Sequence, residues 1–418
     1  MRRAFRVCLV ATALVGTVLA SPAAAAVTCT FDAGTGVMTV SLETGDSARI
    51  VRSGDAITVV NVTCDGPTVS NTDRIVVTGT GTPTEVAIDL SGGAFAPGLT
   101  TEPDAADSEI ELQVTLPAGT TLRIVGSSSR DHVVVGGSGI NLNADEAAPD
   151  VDVTIAGTPS IVVEGGDGDD VLSAAGGTAE GSPVSGVTLR GQAGADLLLA
   201  GTGPNTLDGG EGADTVDYAA AERVVLADLG AGTAEHDGGA LDTLLVVENL
   251  TGSPGDDTIL GDAGDNVLRG GAGDDVVEGR GGDDRLFGDD GVDTVGFREA
   301  SGGVEVDLGA GTSTGDGDDT LSGFENVTGS DRGDTITGDG NGNVLRGLFG
   351  GDTIHGRGGD DVIRGGKGGD RLFGGRGDDL LHGGHGKDQL DGGQGNDVCR
   401  GAPGPDSFVR CENYPTRG

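Results

Sequence analysis

In the C-terminal half of this chain an apolar residue returns every nine positions, each time two places after Asp or Asn. From Gly329 the frame runs without gain or loss through units opening at Gly338, Gly347, Gly356, Gly365, Gly374, Gly383, Gly392 and Gly401. Five more units open at Gly252, Gly261, Gly270, Gly279 and Gly288, and less regular ones at Gly165, Gly191, Ala200 and Gly209. Across these eighteen units position 8 is always apolar, while position 6 is Asp in fifteen and Asn in three (Asn205, Asn266, Asn343). Alternation over positions 7 to 9 predicts a three-residue strand, with position 8 (Ile354, Ile363, Leu372) inward and position 9 (Arg364, His382, Asp391) outward. Glycine fills positions 1 and 4 except at Ala200, Arg332 and Asn341, which predicts a tight turn with backbone angles that glycine adopts cheaply. Two units make one coil, so like positions stack every eighteen residues.

Residues 27–164 have a different texture. Short β-branched runs recur at 57–62, 75–78, 122–125, 133–135, 151–155 and 161–163, punctuated by Gly, Pro, Asp and Ser. They predict strands and turns with almost no helix. Gly126 to Val134 follows the repeat's phase, with Asp131 at position 6 and Val133 at position 8. This region is therefore either an early, metal-poor stretch of the same solenoid, which the phase favours, or a small β-sandwich. Three spacers interrupt the later units, at 174–190, 218–251 and 297–328. The last two are copies: Asp228-Leu229-Gly230-Ala231-Gly232-Thr233 matches Asp307-Leu308-Gly309-Ala310-Gly311-Thr312, and Glu248-Asn249-Leu250-Thr251 matches Glu325-Asn326-Val327-Thr328. Each holds β-rich runs and reads as an irregular coil.

Composition changes what can hold such a fold together. Of 418 residues 82 are Gly, 3% are aromatic and none is Trp, so apolar burial alone is thin. The net charge is −42, which disfavours nucleic acid and anionic membrane surfaces and favours cations. Residues 1–26 read as a secretory signal: Arg2, Arg3 and Arg6, an apolar stretch from Val7 to Ala20, then Ala23 to Ala26. No second run is long enough to span a membrane, so the mature protein is expected to be soluble and secreted, extracellular or cell-surface associated. Of five cysteines, Cys8 leaves with the signal, and the exported chain most simply pairs Cys29–Cys64 and Cys399–Cys411.

Stacked coils bring the position-6 carboxylates into two columns of like charge about 4.8 Å apart. Repulsion between them opposes folding, and a divalent cation between coils reverses it. Carboxylates with the carbonyls of glycine-rich turns form the flexible oxygen set that calcium prefers over magnesium, so metal and fold are expected to be coupled. The unit G-G-x-G-x-D-x-U-x resembles the RTX, or haemolysin-type calcium-binding, repeat. The resemblance is fullest over 252–296 and 329–400 and extends back to Gly165. It implies an all-β, right-handed parallel β-roll with Ca2+ held in the turns. It further implies ligands at Asp257, Asp275, Asp284, Asp293, Asp334, Asp352, Asp361, Asp370, Asp379, Asp388 and Asp397, with Asp170, Asp196, Asp214 and Asp406 as further candidates. The Asn positions are expected to ligand poorly or mark empty sites.

Catalytic motifs yield to duller readings. Gly311-Thr312-Ser313-Thr314-Gly315 matches G-x-S-x-G but lies in a duplicated spacer whose other copy has Ala234, so Ser313 reads as a turn residue. His382 and His385 fall at surface positions of the repeat. The chain thus divides into 1–26 (signal), 27–164 (β-rich region), 165–251 and 252–328 (repeat blocks with spacers), 329–411 (regular array with a C-terminal cap) and 412–418 (tail). The expected function is calcium binding by a secreted structural or adhesion module that is not an enzyme, with a cell-surface or extracellular polymer as a candidate partner. The alternative is an extracellular polysaccharide-acting enzyme on the N-terminal face, for which Arg49, Arg52, Arg74, Arg123, Arg130 and His132 are the available residues.

Overall fold

The computed structural model describes residues 27–93, 110–142, 151–177, 181–182, 184, 186–401 and 404–412. The signal segment and nearly all of the tail lie outside these residues. The described residues form 39 strands and no helix. The strands stack into two long sheets, between which successive units alternate. One sheet carries the partners Val344, Val362, Leu380 and Val398 on adjacent strands. The other carries Thr353, Arg371, Gln389 and Ser407. These pairings are parallel and eighteen residues apart, as the nine-residue frame requires. Ile354, Ile363, Leu372, Leu381 and Leu390 face inward and are fully buried.

The strands differ from expectation in length. Some cover positions 7 to 9 alone, as in Thr335–Thr337. Most in the last array run on into the next unit, as in Thr353–Gly358, Val362–Gly368 and Leu380–Gly386. Alternation continues with them, so the position-1 glycine points inward beside the position-8 residue.

The N-terminal region continues the same ladders. Ile75 pairs with Leu112 in one sheet, and Leu122 pairs with Ile161 and Ile161 with Val187 in the other. The pairing therefore crosses residue 164 unbroken, and the separate β-sandwich is ruled out. Several strands here bury two or three large side chains, as Val37–Leu42 buries Met38, Val40 and Leu42.

Each duplicated spacer inserts a three-stranded antiparallel unit into one sheet. In the first, Thr233–His236 runs antiparallel between Leu226–Asp228 and Ala240–Leu245. The outer two strands rejoin the parallel ladder. In the second, Thr312–Thr314 lies likewise between Glu305–Asp307 and Asp318–Ser322, which rejoin it in turn. An even number of strands separates the two insertions, so alternation places them on opposite sheets. The same clasp holds each: Arg280 grips Asp228 at 2.8 and 3.0 Å, and Arg357 grips Asp307 at 3.0 and 2.6 Å. Disulfides Cys29–Cys64 and Cys399–Cys411 close the two ends, as expected.

Candidate calcium columns

Position 6 ends each turn, just before the strand, and its side chain is turned inward by the alternation that buries position 8. One oxygen of each carboxylate is used by the protein. Asp352 Oδ1 accepts the backbone N–H of Asp334 at 2.9 Å, and Asp370 and Asp388 repeat the contact one coil on, at 3.0 and 3.1 Å. On the other side Asp361, Asp379 and Asp397 do the same at 2.8 to 3.0 Å. Earlier coils follow suit through Asp196, Asp214, Asp275, Asp284 and Asp293.

The second oxygen has no partner. In Asp170, Asp196, Asp214, Asp275, Asp284, Asp293, Asp352, Asp361, Asp370, Asp379, Asp388 and Asp397, Oδ2 is buried without a hydrogen bond. Each faces a cradle formed by the position-1 glycine. A methyl on Gly356 would lie 2.0 Å from Asp361 Oδ2 and 2.6 Å from the carbonyl of Gly374, one coil on. On Gly365 it would meet Asp370 Oδ2 at 2.4 Å and the Gly383 carbonyl at 2.7 Å. Position 1 is therefore glycine for space, which corrects the expectation of a backbone requirement there. The left-handed angles fall at position 4, as at Gly368 with φ 153°, and at position 2. Position 2 keeps that conformation even without glycine, at Gln192, Arg280, Asp289, Leu348 and Arg357.

Burial dominates the electrostatics. It pushes Asp170, Asp284, Asp352 and Asp361 up to about 7, and Asp214, Asp275 and Asp379 up to about 6. The backbone hydrogen bond from the preceding coil opposes this, and neighbouring carboxylates add to it. Leaving a charged oxygen dry and unpaired is costly, and a cation in each cradle removes the cost. Among the described residues no three His, Cys, Asp or Glu side chains converge on one point. The available donors are thus single carboxylate oxygens and backbone carbonyls, an all-oxygen set suited to calcium and unsuited to zinc.

Three kinds of position depart from the pattern. Both oxygens of Asp257 are engaged, by Ser253 N–H at 2.5 Å, Ser253 Oγ at 2.8 Å and Val225 N–H at 2.6 Å. Asp334 is held in the same way by Ser330 and Val304. Asn266 and Asn343 turn their amide groups onto the carbonyls of Glu248 and Glu325, at 2.8 and 2.9 Å. Asp406 accepts the Asp388 N–H at 3.1 Å at the end of its column.

The columns also contain residues outside the nonapeptide frame. Asp242 and Asp319 accept the N–H of Asn205 and Asp284 at 2.7 and 3.0 Å. Glu248, Glu325 and Glu412 accept those of Asp214, Asp293 and Asp397 at 2.7 to 2.9 Å. The four spacer acids each stand two residues before an inward apolar residue (Leu244, Leu321, Leu250, Val327), a signal present in the sequence. Glu412 carries no such mark. Asp242 Oδ2 receives Tyr218 OH at 2.9 Å and lies 3.1 Å from His236 Nε2. Asp319 Oδ2 receives Ser313 Oγ at 2.7 Å. Ser313 is thus a buried partner of an acid on a strand, with no nucleophile elbow around it. His382 and His385 are exposed, as expected.

Comparison with known protein families matches the RTX calcium-binding nonapeptide repeat at residues 162–178, 190–220, 247–277, 260–295, 328–363, 337–372 and 364–399. The repeats of this chain are RTX calcium-binding repeats, and the solenoid they build is a β-roll; calcium binding is the activity such repeats carry. No curated protein matches the chain.

Proposed function

We propose that this protein is an exported structural or adhesion module whose repeat region folds on binding calcium. The carrying observation is the set of twelve buried aspartate oxygens without partners, ten of them beside a carbonyl of the neighbouring coil. These twelve residues supply the carboxylate ligands. Asp257 and Asp334, already satisfied by serines, act as metal-free joints next to the spacers. Export is supported by the N-terminal signal pattern and by the two disulfides, which persist in oxidising surroundings. No helix among the described residues is long and apolar enough to cross a membrane. The rod's partner is then a cell-surface or extracellular polymer. Nothing favours the polysaccharide-acting alternative: Arg49 is bound to Asp89, and Arg123 to Glu85 and Glu164.

The test is far-UV circular dichroism of the mature chain, stripped by chelator and titrated with calcium, with magnesium as control. A cooperative gain of β signal with calcium alone is expected. A spectrum unchanged by chelation and by calcium sinks the proposal.

A further inference from the structure

The two duplicated spacers share sequence and topology, so each is a control for the other. On the outer face of the first, pairing aligns Leu241, Glu235, Leu226, Thr258 and Val276 in one row over five neighbouring strands. The matching row of the second spacer is Asp318, Thr314, Glu305, Thr335 and Thr353. Val224, Leu245 and Val246 likewise correspond to Gly303, Ser322 and Gly323. The face around the first spacer, including Val276 of the unit opening at Gly270, thus carries an aliphatic side chain at six places where the face around its copy carries an acid, a hydroxyl or glycine.

These side chains are open to solvent: Val224 43%, Leu226 49%, Leu241 54%, Leu245 42%, Val246 61% and Val276 38%. They are six of the eleven exposed large hydrophobic residues among the described residues. Leu241, Leu226 and Val276 alternate with Glu235 and Thr258 along the row, Val224 stands two residues before Leu226, and Leu245 and Val246 follow four and five residues after Leu241. At a strand spacing of about 4.8 Å the row is about 19 Å long. The exposed aliphatic surface sums to on the order of 400 Å2, within the range of the largest patch on a typical monomer, which is often functional. Val246 adds an independent sign. It holds φ 49°, a conformation hostile to a β-branched side chain, where its counterpart Gly323 sits at 76°. With so much of its side chain exposed, packing within the chain does not account for that strain.

We propose that this face binds the same face of a second copy of the chain, giving a two-fold dimer. The rim is self-complementary. Glu235 supplies an acid within the row, and the exposed Arg223 supplies a base next to Val224, its Nη1 3.6 Å from where a Cβ on Gly238 would stand. A two-fold contact brings each arginine to the acidic rim of the other copy while the aliphatic patches meet. Such a patch is about half of the roughly 800 Å2 per partner that a stable interface buries, and polar rim supplies the rest. The net charge of −42 opposes self-association. Cations held in the columns lower that charge, so the dimer belongs to the calcium-loaded chain.

Sedimentation equilibrium of the mature chain in calcium and physiological salt, across the micromolar range, tests this. Circular dichroism of the same samples keeps loss of fold separate from loss of association. A reversible monomer–dimer equilibrium is expected. Leu226→Glu with Leu241→Asp installs the residues of the second spacer and should weaken the dimer about tenfold or more, with an unchanged spectrum. Val246→Gly should weaken the dimer while raising the monomer's melting temperature. The reciprocal Glu305→Leu with Asp318→Leu creates a second patch and should drive assembly beyond the dimer. A chain that stays monomeric throughout, or a dimer indifferent to Leu226→Glu with Leu241→Asp, overturns the proposal.

Discussion

The N-terminal and C-terminal coils of this solenoid share two sheets and continuous ladders but are held together by different chemistry. Between Thr28 and Val125 most strands bury two or three large residues, as Leu112, Val114 and Leu116 do. From Gly329 onward a unit offers one such residue, and its next inward position is glycine. Apolar burial per ordered residue is therefore lower in the C-terminal units, and their glycines have more backbone freedom to lose on folding. The glycine that weakens the core also opens the cradle in which a cation can join an aspartate to the next coil's carbonyl. Poverty of apolar burial and capacity for metal are thus two consequences of one residue choice.

The strongest way to break this comparison is to remove calcium. Hydrogen exchange in chelator should show protection kept in 27–125 and lost through 329–400; equal loss in both regions would mean that the apolar coils depend on metal as well. Next in size is pH. Folded Asp352 and Asp361 titrate near 7 and Asp275 near 6, against 3.8 unfolded. Between those limits the folded state holds protons that the unfolded state has released, so metal-free stability falls as pH rises from about 4 to about 7 and is flat above. In chelator the repeats should therefore keep more β signal at about pH 5 than at about pH 8, opposite to a protein stabilised by ion-paired carboxylates.

Gly365→Ala should be smaller but local. Its Cβ fills the cradle at Asp370, and the calcium midpoint should rise about tenfold or more as the ligand geometry is lost. Gly340→Ala, with open space around it, is the control and should leave the titration unchanged. Ser253→Ala removes one of the three hydrogen bonds to Asp257 and leaves the two from backbone N–H groups. It should destabilise the calcium-loaded fold by about 1 kcal/mol, read from its melting midpoint. The smallest effect expected is from Leu348→Gly, which relieves a left-handed φ of 73° and should raise stability by about 1 kcal/mol.

Much of this was readable from residues alone. The nine-residue frame set the strands, the eighteen-residue stacking and the fifteen repeat aspartates, because side-chain alternation and glycine turns are local rules. The phase of Asp131 and Val133 pointed to the solenoid's extension into 27–164, and cysteine position pointed to both disulfides. The spacer acids were also within reach, since Asp242, Glu248, Asp319 and Glu325 keep the two-residue offset from an inward apolar side chain; glycine-based framing passed over them because their turns are built differently.

What the chain alone left open depends on contacts between coils. Only stacking reveals that Oδ1 is satisfied by the neighbouring coil while Oδ2 is stranded, because the N–H and the carbonyl involved come from a different turn. Asp257 and Asp334 are set apart locally by the serine at position 2 of their own units, Ser253 and Ser330, and stacking adds only the bonds from Val225 and Val304. Stacking also adds to why position 1 is glycine: beside the unit's own aspartate, a side chain there would meet the next coil's backbone carbonyl, as the Gly374 carbonyl stands over Gly356, eighteen residues away in the chain and in contact in the fold.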